Sequence, residues 1–242
     1  VRLVWTYSKD WKKGRNISKY PHEYIQYLYK KSITSASNNF HKVIYTDEKN
    51  TDLFKDIVDE VIIRKPKPFI FLADLKFEVA GLLDGEMLIT DGDIFFKKEL
   101  KIPTGTQIGF EIEIGDVLSL IAGWKDILIV NGIEQTVPCW GIENRSAINL
   151  GLMYFNDNVI KDNLLAEYKK TQEFYVEHIE PVYKFNKDDK QFSACASQML
   201  VKQFLLDQKI NPYFFNKVNS NNLSYKHYAS TAKGRFLQIY NK

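Results

Sequence analysis

Short apolar runs alternate with longer amphipathic stretches through the first ninety or so residues, and this alternation most constrains what the chain can fold into. Arg2 to Tyr7 (RLVWTY) is β-branched and aromatic, which predicts an opening strand. A helix is expected from Pro21, taken as its first helical residue, to about Ser37, with Tyr24, Tyr27, Leu28 and Tyr29 as a wide apolar face. Val43 to Tyr45 reads as a second strand, ended by Thr46-Asp47 much as Thr6-Tyr7 ends the first. Thr51 to Ile57 suggests a short helix, and Val61 to Ile63 a third strand. After the break at Lys65-Pro66-Lys67-Pro68, Phe69 to Leu83 reads as a helix, with Leu72, Leu75, Val79, Leu82 and Leu83 at helical spacing and Lys76 near its middle. Strands and helices in this order predict an α/β chain with a mostly parallel, mixed sheet flanked by helices. Ligands of such sheets bind at the carboxyl ends of the strands.

The stretch that follows, Met87 to Phe96 (MLITDGDIFF), ends an apolar run in two carboxylates separated by one glycine. Met87 to Ile89 reads as the end of a strand covered on both faces. In an extended chain, residues two apart point to the same side, so Asp91 and Asp93 can face one point beyond the strand end. Gly92 permits close approach between them. Two convergent carboxylates suit a hard divalent cation that keeps open positions for phosphate oxygens, such as Mg²⁺ or Mn²⁺. Asp-Gly is also a common turn pair, so an ordinary β-turn is the better account of the tripeptide taken alone, and the case for a metal site rests on the rest of the chain.

The second half is less regular. Lys101 to Gly115 alternates weakly, as a hairpin or edge strand would. Residues 117–123 suggest a short helix and 127–130 a strand. Ser146 to Phe155 (SAINLGLMYF) reads as a buried strand carrying Asn149 and Gly151. Asn156-Asp157 is expected to cap a helix reaching about His178, and Asp188-Asp189 another reaching about Leu206. Lys9 to Asn16, with Trp11, is expected to be an exposed loop above the strand ends. Late in the chain, Tyr225 to Phe236 (YKHYASTAKGRF) offers His227 as a nitrogen ligand, Lys233 as a point charge for phosphate and Gly234 for close backbone approach. A surface loop with a solvated histidine and lysine is the plain alternative.

With 242 residues, the chain is read as one domain, 1–242. Lys and Arg number 33 against 30 Asp and Glu, with no basic block, so no nucleic-acid groove is expected. Cys139 and Cys195 lack metal-site spacing and suggest no disulfide framework, which points to a reducing, cytoplasmic compartment. No apolar run has a transmembrane length and no signal-peptide pattern opens the chain.

Together these motifs resemble the metal-dependent GT-A glycosyltransferases, most closely the glycogenin and lipopolysaccharide galactosyltransferase type. The family's Asp-x-Asp at a strand end is matched by Asp91-Gly92-Asp93, and its Asn-x-Gly strand by Ser146 to Phe155. Its late His-x5-Lys, which gives a third metal ligand and a diphosphate contact, has the spacing of His227 and Lys233. Lys76 matches a lysine on the helix before the metal strand, and Thr6 and Tyr7 resemble the nucleotide-base edge. The likeness spans nearly the whole chain and implies a nucleotide-binding half, 1–100, and an acceptor-binding half, 101–242. It departs in two places: the family's glycine precedes its lysine, whereas Ser230 and Ala232 fill that interval here and Gly234 follows, and the family's Asp-Gln pair has no clear match, since Asp188-Asp189 with Gln191 and Gln198 reads equally as a helix cap and polar face.

The resemblance implies a single GT-A, Rossmann-like domain that transfers a sugar from a nucleotide-diphosphate donor, expected to be a UDP-sugar, to a carbohydrate or protein hydroxyl. Mn²⁺ or Mg²⁺ would be held by Asp91, Asp93 and His227. Thr6, Tyr7, Lys76, Asp91, Gly92, Asn149, Gly151, Lys233 and Gly234 would line the donor, and Lys233 would offset charge on the leaving diphosphate. Likeness to glycogenin favours retention of configuration. Asp189 or Glu143 would be the base of an inverting reaction, Gln191 or Gln198 could complete the family's Asp-Gln pair, and Trp140 could stack on an acceptor sugar. A sugar nucleotidyltransferase can use the same paired carboxylates, although its phosphate loop is usually Gly-rich and residues 6–16 contain only Gly14. A non-catalytic carbohydrate-binding or virion-associated relative is the reading from another class.

Overall fold

The computed structural model describes residues 1–8, 21–65, 67, 71, 73–114, 146–179, 189–216 and 224–227. The first half alternates as expected: β1 (Arg2–Tyr7), α1 (His22–Ser35), β2 (His41–Asp47), β3 (Glu60–Arg64), α2 (Asp74–Leu82) and β4 (Met87–Thr90). β5 (Ile94–Phe96), β6 (Ile108–Ile114), β7 (Ser146–Phe155), α3 (Asn158–Phe174), α4 (Asp189–Asp207), β8 (Tyr213–Phe214) and β9 (Tyr225–His227) follow. A seven-stranded mixed sheet runs in the order β3-β2-β1-β4-β7-β6-β8, and β5 and β9 form a separate pair. β3, β2, β1 and β4 are mutually parallel, β7 is antiparallel to its neighbours β4 and β6, and β8 is parallel to β6. This is a mostly parallel α/β sheet flanked by helices.

Strand alternation builds a core on each face of this sheet. Leu3, Trp5, Ile44, Leu88, Leu152 and Tyr154 pack with Ile33 of α1 on one side. Val4, Val43, Met87, Ile89, Met153 and Phe155 pack with α2, α3 and α4 residues such as Val79, Leu164 and Phe204 on the other. Burial on both faces explains why these strands are nearly continuously apolar. From β1 the chain passes to β2 on one side, and from β3 it crosses back to β4 on the other. The switch point of the sheet therefore lies between the carboxyl ends of β1 and β4, where such sheets hold their ligands.

Element ends differ from the sequence reading for local reasons. Pro21 caps α1 instead of opening it, and Ala36 turns extended to end it. Of the expected tyrosine face, Tyr24 is buried with Leu28 and Ile33, while Tyr27 and Tyr29 are only half-buried. The short helix expected at Thr51 to Ile57 is a 3-10 segment displaced to Glu48–Leu53, in keeping with the brevity of such connectors. α2 begins at Asp74, whose carboxylate accepts the Phe71 amide at 3.0 Å and fixes a turn just before it; the expected start at Phe69, and Leu72, lie outside the described residues. Leu83, in extended geometry, ends it. Asp157 caps α3 as expected, accepting from the Val159 and Ile160 amides at 2.9 and 3.0 Å. α3 gives way at Tyr175–Ile179 to a π-helical turn. β6 is not the edge strand of the sheet, since β8 lies outside it, and it pairs antiparallel with β7, the next strand in order. The expectations for Trp11, Cys139, Trp140, Glu143, Asp188, residues 117–123 and 127–130, Ser230, Ala232, Lys233 and Gly234 lie outside the described residues.

Candidate metal and donor site

β4 delivers Asp91, Gly92 and Asp93 to the switch point, but not as an extended chain. The strand stops at Thr90, and the Ile94 amide donates to the Asp91 carbonyl at 3.3 Å, closing a tight turn. The turn reading is thus realised, and the extended geometry expected to aim Asp91 and Asp93 is not. Gly92 is needed for the turn's packing: a Cβ there would stand 2.2 Å from Cδ2 of the Tyr29 ring. Tyr29 in turn donates its hydroxyl to the Thr6 carbonyl at 2.8 Å and so ties the end of β1 to the carboxylate turn. Burial first, then the Asp91 and Asp93 charges, raise the Tyr29 phenol well above its ordinary value, which keeps it a donor.

His227 arrives from far along the chain through the β5–β9 pair, in which it faces Ile94. Ligand atoms of Asp91, Asp93 and His227 all lie within 4.8 Å of one another. The His227 Nε2 is 3.6 Å from Asp93 Oδ1, and its Nδ1 is 2.9 Å from Glu111 Oε2. Burial alone would lower the His227 pKa, but the Asp93 and Glu111 carboxylates on either side of the ring outweigh it and bring the value up to about 10. Two carboxylate oxygens and one imidazole nitrogen form a mixed donor set that suits Mn²⁺ or a similar ion. The residues present therefore fit a divalent cation.

Lys76 projects from α2 into the same place. Its ammonium lies 2.6 Å from Asp91 Oδ1 and also donates to the Leu150 carbonyl. It is thus engaged with a carboxylate of the turn, at the border of the expected nucleotide position. On the other side, β7 departs from regular pairing. Its register against β6 jumps from Phe110↔Met153 to Glu111↔Asn149, leaving Leu150, Gly151 and Leu152 opposite no β6 residue. Irregularities of this kind re-aim side chains beside functional sites. The displaced Gly151 carbonyl accepts the Asp91 amide at 2.9 Å, and Asn149 Oδ1 accepts the Gly151 amide at 2.7 Å. Gly151 also leaves room where a Cβ would lie 2.5 Å from both Glu111 Oε2 and His227 Cε1.

Of the other sequence candidates, Thr6 and Tyr7 end β1 at the same edge, though their side chains are buried. The Tyr7 hydroxyl lies 3.0 Å from His22 Nε2, and burial, the larger cause, pushes its pKa up to about 12. Asp189 opens α4. The residue missed by the sequence reading is Glu111. In IGFEIEI it alternates with apolar residues and looks like the solvent-facing half of a strand, yet it is 3% exposed. The one signal for it would have been a carboxylate opposite the Asn-x-Gly run.

No family model and no curated protein matches this chain. Among solved structures, mouse xyloside xylosyltransferase 1 is similar at 13% identity, with 88% of this chain and 84% of that one covered and a TM-score of 0.43. The glycosyltransferase GlyE of Streptococcus pneumoniae is similar at 11% identity and a TM-score of 0.47, over 95% of this chain and 54% of GlyE, so the chain spans about half of that protein. The inositol-1-phosphate CTP transferase of T. maritima is similar at 10% identity and a TM-score of 0.36, over 79% of each chain. Among the described residues, no helix is long and apolar enough to cross a membrane.

Proposed function

We propose that this chain is a divalent-metal-dependent glycosyltransferase of the GT-A type that moves a sugar from a nucleoside diphosphate donor, such as a UDP-sugar, to an acceptor hydroxyl with retention of configuration. The observation that carries this reading is the convergence of Asp91, Asp93 and the sequence-remote His227 at the switch point of a mostly parallel sheet. When bound there, Mn²⁺ or Mg²⁺ would supply Lewis-acid stabilisation of a diphosphate leaving group. The chain's own residues organise the rest. Lys76 holds Asp91 by an ion pair and donates to the Leu150 carbonyl, so it ties the carboxylate turn to β7. Asn149 and Gly151 would border the sugar and Thr6 and Tyr7 the nucleotide, since all four lie at the carboxyl edge of the parallel strands or just beyond it. Lys233 and Gly234 would contact the diphosphate, and Asp189 is the residue to examine if configuration is inverted.

The test is a panel of nucleotide sugars incubated with the full chain and Mn²⁺, followed for nucleoside diphosphate release. Release that disappears in Asp93→Asn supports the reading. Pyrophosphate release from a nucleoside triphosphate and a sugar phosphate would replace it with the nucleotidyltransferase reading, and sugar binding without turnover would replace it with a non-catalytic one.

A further inference from the structure

Glu111 is a carboxylate beside His227 that lies outside the metal-compatible group of Asp91, Asp93 and His227 found among the described residues. It stands on the other side of the imidazole: Oε2 lies 2.9 Å from Nδ1 as an ion pair and is otherwise a buried acceptor with no hydrogen-bond partner among the described residues, while Asp93 lies by Nε2. The two ring nitrogens point in different directions, so an ion taken up by Nε2 and the two aspartates leaves the Nδ1 contact intact. The other Glu111 oxygen, Oε1, accepts the Tyr225 hydroxyl at 2.8 Å. Tyr225 and His227 are both on β9, so one glutamate grips two residues of that strand. The grip is possible because of the register jump in β7 and because residue 151 has no side chain to fill the space between Glu111 and His227.

We propose that Glu111 is a positioning residue for the metal site, accepting the Nδ1 proton of His227 so that the Nε2 lone pair is presented to a divalent cation shared with Asp91 and Asp93. A carboxylate on the far nitrogen fixes the tautomer and ring orientation of a ligating histidine and raises its basicity. Tyr225 fixes the carboxylate in its turn. Burial, followed by the Glu111 charge and hydrogen bond, raises the Tyr225 phenol, so it remains protonated and donating. The proposal rests on the metal-site reading above and extends it from the ligands to the group that aims one of them.

The test uses Mn²⁺ itself with the full chain. Affinity is followed by loss of the free-ion electron paramagnetic resonance signal, and ligation by the spin-echo modulation that a directly bound imidazole nitrogen imposes. Wild type is expected to bind with nitrogen modulation, Asp93→Asn to lose binding, and His227→Ala to lose the modulation. Glu111→Ala is expected to bind Mn²⁺ about tenfold to hundredfold more weakly, in the range found for losing such an outer partner, and to lose the modulation although His227 is still present. If Glu111→Ala fails to fold, as judged by circular dichroism, Glu111→Gln carries the test. Its amide oxygen still accepts from Nδ1, so modulation should persist while affinity falls several-fold. Wild-type affinity and modulation in a folded Glu111→Ala, or wild-type affinity in Glu111→Gln, overturns the proposal and leaves the metal site standing. Absence of Mn²⁺ binding in wild type, or unchanged binding in Asp93→Asn, overturns the metal site and the proposal together.

Discussion

Single atoms decide whether the carboxylate turn can exist. At Gly92 an added methyl would meet the Tyr29 ring at 2.2 Å, and that ring is held by Tyr7 at a centroid distance of 4.9 Å and by its own bond to the Thr6 carbonyl. Gly92→Ala should therefore cost about 1–3 kcal/mol through overpacking and splay Asp91 from Asp93. Urea unfolding together with Mn²⁺ titration checks this, and a variant with wild-type stability and metal affinity would show that the ring yields freely. The protonation of His227 gives a second expectation. Its folded pKa, about 10, lies above its ordinary value of 6.5, so its protonation stabilises the metal-free protein fully below about pH 6.5, and the contribution disappears as pH rises through 10. In the presence of a chelator, the melting-temperature advantage of wild type over His227→Gln should shrink across that window; a constant difference would mean that the imidazole is not held charged.

At the scale of elements, a buried charge network joins β2, β3 and α2. Arg64 lies 3.4 Å from Asp47 Oδ1 and 3.0 Å from Glu78 Oε2, while the Tyr45 hydroxyl donates to Glu78 at 3.0 Å. All three charged side chains are at most 10% exposed. Replacing all three charged residues with well-packed apolar ones is close to neutral in such networks, but removing only Arg64 leaves Asp47 without its cation and Glu78 with only the exposed Lys67, 3.0 Å from its Oε1, so Arg64→Met should cost about 3–5 kcal/mol. Chemical denaturation measures this, and a loss below about 1 kcal/mol would mean that water reaches the acids. The elements themselves were legible because strands covered on both faces are apolar throughout, and because Asp157 announces its helix with a side-chain cap. Helix boundaries were less so, since Asp74 uses its carboxylate to make a turn where spacing alone continues α2 back to Phe69. Glu111 was not legible at all. Ordinary strand alternation places it toward solvent, and only a three-residue slip in a strand far along the chain turns its surroundings into a site.

At the scale of the whole molecule, the alternation of the first half correctly implies the mostly parallel sheet flanked by helices, while the pairing of β5 with β9 could not be read from either segment. That pairing brings His227 to Asp93, and the Tyr225 to Glu111 bond spans a sequence separation of 114 residues. Closing so long a loop costs conformational entropy before any contact rewards it, and contacts of large separation slow folding. The parallel core of β1 to β4 depends on shorter connections and can form first, without β9 in place. Competence to bind metal is then a late event in the life of each molecule. On dilution from denaturant, Mn²⁺ uptake should follow the slowest refolding phase, after most of the far-ultraviolet circular dichroism has returned; uptake in step with the early signal would mean that β9 docks before the sheet is complete. A chain stalled before β9 docks would carry a largely formed sheet and an open pair of aspartates, so the ion would bind tightly only to molecules that have finished folding.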